Sequence, residues 1–114
     1  MTAAECRKLI AEGAPILLVD VRESDEVEAS PYFEVAHLSS VNLPLTLISF
    51  LPKEELAERL ESSAGRFGKP LSEVRVVAGC RSGARSALAV ERFAASGIVA
   101  ENLEGGRIAW GEAL

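Results

Sequence analysis

The sequence is short of the residues from which disulfide frameworks and metal centres are built. Its 114 residues include two cysteines and one histidine. Cys6 and Cys80 stand in different contexts, and neither has neighbours at metal-ligand spacing. So low a cysteine count favours reactive or buried thiols over a disulfide framework, and no metal site is expected. Long apolar stretches are missing too, since no run reaches the roughly 18 residues that a spanning helix needs. Met1 is followed by neither a basic segment nor the apolar one that directs secretion, so a cytoplasmic protein without membrane contact is expected. Positive charge is also in deficit. Lys and Arg number 12 against 17 Asp and Glu, a formal charge of -5, which argues against binding nucleic acid or anionic membranes broadly. Internal repeats, low-complexity tracts and a second-domain boundary are absent. The length leaves room for one modest core, so one domain over residues 1–114 with one site is expected.

What is present has the composition of a packed domain, 48% hydrophobic and 25% charged, and an alternating order of elements. Thr2 and Glu5 have the spacing of a capping box. Cys6, Leu9 and Ile10 follow at helical spacing, with Gly13 placed to stop a short first helix. The continuous apolar run Ile16, Leu17, Leu18, Val19 reads as a strand buried on both faces, and it gives way to Asp20, Val21 and Arg22. An acidic stretch follows, with Ser24 as a cap for a helical turn. A second short strand is predicted near Val41 to Leu43, ended by Pro44. Lys53 to Ala64 places Leu56 and Leu60 on one helical face before Gly65, and Arg66 to Ser72 reads as loop. Val74, Val76, Val77 and Ala78 form a third strand. Ser86 to Ser96 is a helix stopped by Gly97. A fourth strand lies around Val99 to Leu103, and Ile108 with Trp110 covers the end of the core. Strands alternating with helices predict an α/β fold, a parallel sheet with helices on both faces.

The chemistry gathers after the third strand. Ligands of parallel α/β sheets sit at the carboxyl ends of strands, where helix N-termini direct unpaired N–H groups. Cys80 stands at that place, followed by Arg81, Ser82, Gly83, Ala84, Arg85 and Ser86. Their amides can converge on an anion, and Gly83 permits the turn this requires. Two arginines and a helix N-terminus beside the thiol favour the thiolate, the nucleophilic form of cysteine.

The stretch CRSGARS resembles the Cys-x-x-Gly-x-Arg-Ser loop of the rhodanese family. LLVDVRE (Leu17 to Glu23), AHLSSVNLP (Ala36 to Pro44) and LEGGRIAW (Leu103 to Trp110) resemble three further signatures of that family, in family order. The resemblance implies a central parallel sheet of four or five strands and a catalytic cysteine, Cys80, that accepts a sulfane sulfur. The donor would be thiosulfate or a persulfide donor protein such as a cysteine desulfurase, and the acceptor a thiol or a cyanide-like nucleophile. Neither metal nor organic cofactor is implied. The phosphatase and arsenate-reductase relatives have one residue more between cysteine and arginine, giving the wider ring of amides that a tetrahedral phosphoryl group needs. A phosphatase is therefore the second reading. A binding module without catalysis is the third, and relatives of that kind often lack the cysteine. Two departures stand out: Ala36 replaces the usual Gly before the histidine, and Ser39 with Ser40 replaces a common Pro-Gly pair.

Each remaining residue has a functional and a bland reading. Cys6 shares a face with Leu9 and Ile10 and is read as packing. Arg85 falls where the family's anion-binding arginine does and is read as a clamp. Arg81 either binds the anion or sets the potential at the entrance. Ser86 either donates its hydroxyl to the sulfur or caps the following helix. Asp20 is read as structural, whereas Arg22 is carried as a residue that could line the pocket, as in some relatives. His37 is read as satisfying backbone groups, because a thiolate activated by local charge needs no general base. The acidic stretch Glu23 to Glu34 is read as a solvated face.

Overall fold

The computed structural model describes residues 1–30 and 40–112. Helix α1 (Ala3–Ala11) leads into strand β1 (Ile16–Asp20), then α2 (Ser24–Ala29), β2 (Ser40–Asn42), α3 (Leu45–Phe50) and α4 (Lys53–Ala64). Two turns of 3₁₀ helix, Gly65–Phe67 and Leu71–Glu73, precede β3 (Arg75–Gly79), α5 (Ala84–Ala95), β4 (Ala100–Asn102) and α6 (Gly106–Glu112). The strands form one sheet in the order β2-β1-β3-β4. All three pairings are parallel, with Leu18 opposite Ser40 and Val77, and Val77 opposite Glu101. An isolated parallel bridge joins Thr2 to Glu104.

Side chains alternate across a strand, so the apolar run of β1 divides between two cores. Leu17 and Val19, with Val76 and Ala78, pack against Ile48, Leu56, Leu60, Ala89 and Phe93 of α3, α4 and α5. Ile16, Leu18 and Val77 pack against Ala3 and Cys6 of α1 and Trp110 of α6. The sheet is covered on both faces, which is why β1 is apolar at every position from Ile16 to Val19. No helix among the described residues is long and apolar enough to cross a membrane.

Several local expectations change. Thr2 Oγ1 accepts the Glu5 N–H at 3.1 Å as predicted, but α2 is capped by Glu23 and not by Ser24. The Glu23 side chain takes the Glu26 amide while Glu26 returns the contact to the Glu23 N–H. The strand predicted near Val41 to Leu43 is found at Ser40–Asn42 and is followed at once by α3, with Pro44 at its N-cap. Proline's fixed φ suits a helix start as well as a strand end, and only Ile48 of α3 is fully buried. Helix α5 begins at Ala84, two residues before the predicted start. The segment after Gly105 is a helix, α6, which buries Trp110 against the core as expected but leaves Ile108 exposed. His37, Ala36 and Ser39 lie outside the described residues.

Candidate active site

The order of the strands places the site. The chain runs outward from β1 to β2 and then returns to the other side of β1 for β3 and β4. In open parallel sheets the point where the order reverses, here the carboxyl ends of β1 and β3, is where ligands bind. Cys80 follows β3 there, 1% exposed, and the next three residues, Arg81 to Gly83, turn into α5. Gly83 is the N-cap of that helix with φ +105. A Cβ at Gly83 would meet only ordinary contacts of 3.7 Å, so the backbone angle, and not space, demands glycine here.

The loop folds its amides back onto the sulfur. Gly83 N–H donates to Cys80 Sγ at 3.0 Å, and Ser86 Oγ lies 3.4 Å from it. Burial alone pushes the Cys80 thiol up, but the Ser86 hydroxyl and the N–H groups of Ser86, Gly83 and Ser82 outweigh it and hold the thiol below its ordinary value. These amides belong to the first turn of α5 and the loop before it, where N–H groups have no partner within the helix. Cys6 is the opposite case. It is fully buried against α1, β1 and α6, and burial pushes its thiol up to about 11. Both thiols are free.

Two further elements brace the loop from behind. Asn102, the last residue of β4, donates through Nδ2 to the Gly83 carbonyl at 3.1 Å, and its Oδ1 lies 2.5 Å from Ser86 Oγ. Helix α6 points its first N–H groups at the loop: Arg107 donates to the Cys80 carbonyl at 2.8 Å and Ile108 to that of Arg81 at 3.2 Å. A Cβ on Gly106 would overlap both of those carbonyl oxygens. Gly106 therefore lets α6 approach the backbone of Cys80.

The arginines are distributed differently from the sequence expectation. Arg81 is exposed at the mouth of the loop. Arg85 does not face the sulfur as a clamp: its two terminal nitrogens hold both carboxylate oxygens of Glu26, at 2.5 and 2.8 Å. Hydrogen bonding to Arg85 lowers Glu26 to about 2. Arg22 is not open to a ligand either. It is 3% exposed, paired with Asp20 at 2.9 Å, and it donates to the Ser30 carbonyl. In each case a carboxylate of the chain occupies the fork of the guanidinium, two residues away for Arg22 and 59 residues away for Arg85.

The family pattern described as Rhodanese-like domain matches residues 2–113. The chain belongs to the rhodanese-like domain family. It is 33% identical over 114 residues to the Zea mays protein named adenylyltransferase and sulfurtransferase MOCS3-2, covering 98% of this chain and 21% of that one. The rhodanese-like chain thus spans about one fifth of the length of the curated relatives it matches. Among solved structures, a rhodanese-like domain protein from Staphylococcus aureus is 27% identical with a TM-score of 0.66, covering 97% of this chain and 89% of that one. The human single-domain sulfurtransferase TSTD1 aligns with a TM-score of 0.69 at 22% identity, over 98% and 94% of the two chains. That likeness shows the fold.

Within the rhodanese-like fold, the residues that sequence reasoning passed over are Asn102, Glu26 and Gly106. Glu26 was visible only as part of an acidic run, and Gly106 only as part of a signature. Asn102 carried one signal, a polar side chain at the carboxyl end of a strand. A groove of about 530 Å³ lined by Leu71, Val74, Arg75, Ile98, Val99 and Glu101 opens at the amino ends of β3 and β4. It lies at the other end of the sheet from Cys80.

Proposed function

We propose that this chain is a sulfurtransferase in which Cys80 carries sulfur as a persulfide. The observation that supports this reading is the convergence of the Ser82, Gly83 and Ser86 amides on a buried Cys80 Sγ held below the ordinary thiol value. Such a floor favours a thiolate before reaction and an anionic sulfur after it. The thiolate attacks the outer sulfur of thiosulfate. An S–S bond forms on Cys80, the S–S bond of the donor breaks, and sulfite leaves with the electron pair. The outer persulfide sulfur, now anionic, is held by the loop amides. A thiol or cyanide then attacks that outer sulfur, and the electrons of the persulfide bond return to Sγ, restoring the thiolate. The persulfide of a donor protein can replace thiosulfate in the first half of this cycle.

In this reading the amides of residues 82 to 86 form the cradle, and Arg81, at the mouth, draws anionic donors towards it. Arg85 serves by tying the start of α5 to α2. That pairing also weighs against a phosphatase, which needs a guanidinium aimed at the transferred group. The relatives named as sulfurtransferases support the activity class, and a site within the cytoplasm fits the reactive thiol. The test is thiosulfate-to-cyanide sulfur transfer by the native chain and by Cys80→Ser. Activity lost with Cys80→Ser supports the reading, and activity kept by that variant overturns it.

A further inference from the structure

Ser86 has one proton and three neighbours that can accept it. Its Oγ lies 2.5 Å from Asn102 Oδ1, 3.2 Å from the Gly83 carbonyl and 3.4 Å from Cys80 Sγ. The Asn102 amide cannot turn over to relieve the competition. Its Nδ2 donates to the Gly83 carbonyl, and turning it would set two oxygens against each other. The end that faces Ser86 is therefore the oxygen, an acceptor only, and two oxygens at 2.5 Å need a proton between them. Ser86 is the group that has one. Its hydroxyl points at Asn102, and its lone pairs are left to face the sulfur.

We propose that Asn102 is a positioning residue that holds the Ser86 proton away from Cys80 until an anionic sulfur is present. With a neutral thiol, the Ser86 oxygen accepts from S–H. With a thiolate or a persulfide, the hydroxyl rotates to donate to sulfur, and Asn102 Oδ1 loses its donor. The gain at sulfur is offset by the loss at the amide, so Asn102 moderates how far Ser86 favours the anion. The Gly83 carbonyl keeps a partner without Asn102, since it also accepts the Ala87 N–H at 3.2 Å. The loop can thus stay in place when the side chain is removed.

The inference rests on Cys80 being the reacting group, and it is read by alkylation, which needs no sulfur donor and stays informative if sulfur transfer fails. The charged groups around Cys80 among the described residues are Arg81 in the loop, Arg85 on α5 with Glu26 on α2, the Asp20 and Arg22 pair at the end of β1, and Arg107 on α6. None of them is altered by the test. The rate of iodoacetamide reaction at Cys80 is followed against pH, with the adduct located by peptide mass. Asn102→Ala and the bulkier Asn102→Leu are each expected to lower the midpoint, giving about threefold more thiolate well below it. In a Ser86→Ala background, the same substitutions are expected to leave the midpoint in place. A midpoint that rises or stays put in the native background overturns the proposal, as does an equal fall with and without Ser86. Ser86→Ala alone gives a reading that needs no change at Asn102. Because Asn102 already holds the proton, thiolate is expected to fall by less than about threefold, and a tenfold fall overturns the proposal.

Discussion

At the scale of single residues, the two cysteines show how one side chain takes opposite chemistry from its surroundings. Cys6 meets apolar neighbours, and burial, opposed by the N-terminal ammonium and Arg75, pushes its thiol up to about 11. Cys80 meets the same burial, but the amides and the hydroxyl that converge on it reverse the outcome. The pH dependence follows with opposite signs. The Cys6 contribution to stability is complete below the unfolded thiol value and is lost as pH rises from about 9 towards about 11. Cys6→Ala should flatten that alkaline loss, read by denaturant unfolding at stepped pH. The Cys80 contribution is present above the unfolded value and is lost as pH falls through its lowered folded value. Labelling with iodoacetamide at neutral pH should therefore modify Cys80 and leave Cys6 untouched until the protein unfolds. Equal labelling of both in folded protein would refute the assignment.

At the scale of elements, the loop is held by α2 through Glu26 and by α6 through the Arg107 and Ile108 N–H groups. The Arg85 and Glu26 pair joins α5 to α2, and Thr46 of α3 donates to Glu23 at the cap of α2. Glu26→Gln should cost about 1 kcal/mol or less, as partly exposed ion pairs do, and its effect on thermal unfolding should vanish as pH falls from about 4.5 towards about 2. That direction is set because the lowered Glu26 stabilises the fold above the unfolded value and ceases to do so below the folded one. Gly106→Ala is expected to be costlier, about 2 kcal/mol, because the new methyl meets the Cys80 and Arg81 carbonyls at a positive φ. Its midpoint in urea should fall, and its Cys80 alkylation should slow at fixed pH as α6 is pushed off the loop. The same elements show what local sequence hides. α3 is six residues of leucine, threonine, isoleucine, serine and phenylalanine, with no side-chain cap, and packing rather than propensity makes it helical. α6 begins with Gly106 and contains Gly111, so its order comes from the burial of Trp110 and from N–H groups spent on the loop.

At the scale of the whole molecule, the parallel sheet, the strands and the place of the thiol were readable, because buried parallel strands are continuous apolar runs and the site of such a sheet lies at their carboxyl ends. What was not readable depends on pairs far apart in the chain. Arg85 meets Glu26 at a separation of 59 residues, and Ser86 meets Asn102 only because β4 lies beside β3. A motif places an arginine near the sulfur, but its partner decides where the guanidinium points. The formal charge of -5 leaves the amides and Arg81 as the local attraction for an anionic donor, so salt should slow donor capture more than acceptor attack by a neutral thiol. Initial rates at varied ionic strength, with each substrate limiting in turn, check this. The most direct test of the account is the intact mass of reduced protein before and after thiosulfate or a protein persulfide, repeated with Cys80→Ser and followed by cyanide. The account predicts a gain of one sulfur on the native chain, absent in the variant and removed by cyanide. No gain from either donor, on protein whose Cys80 still alkylates, would contradict it.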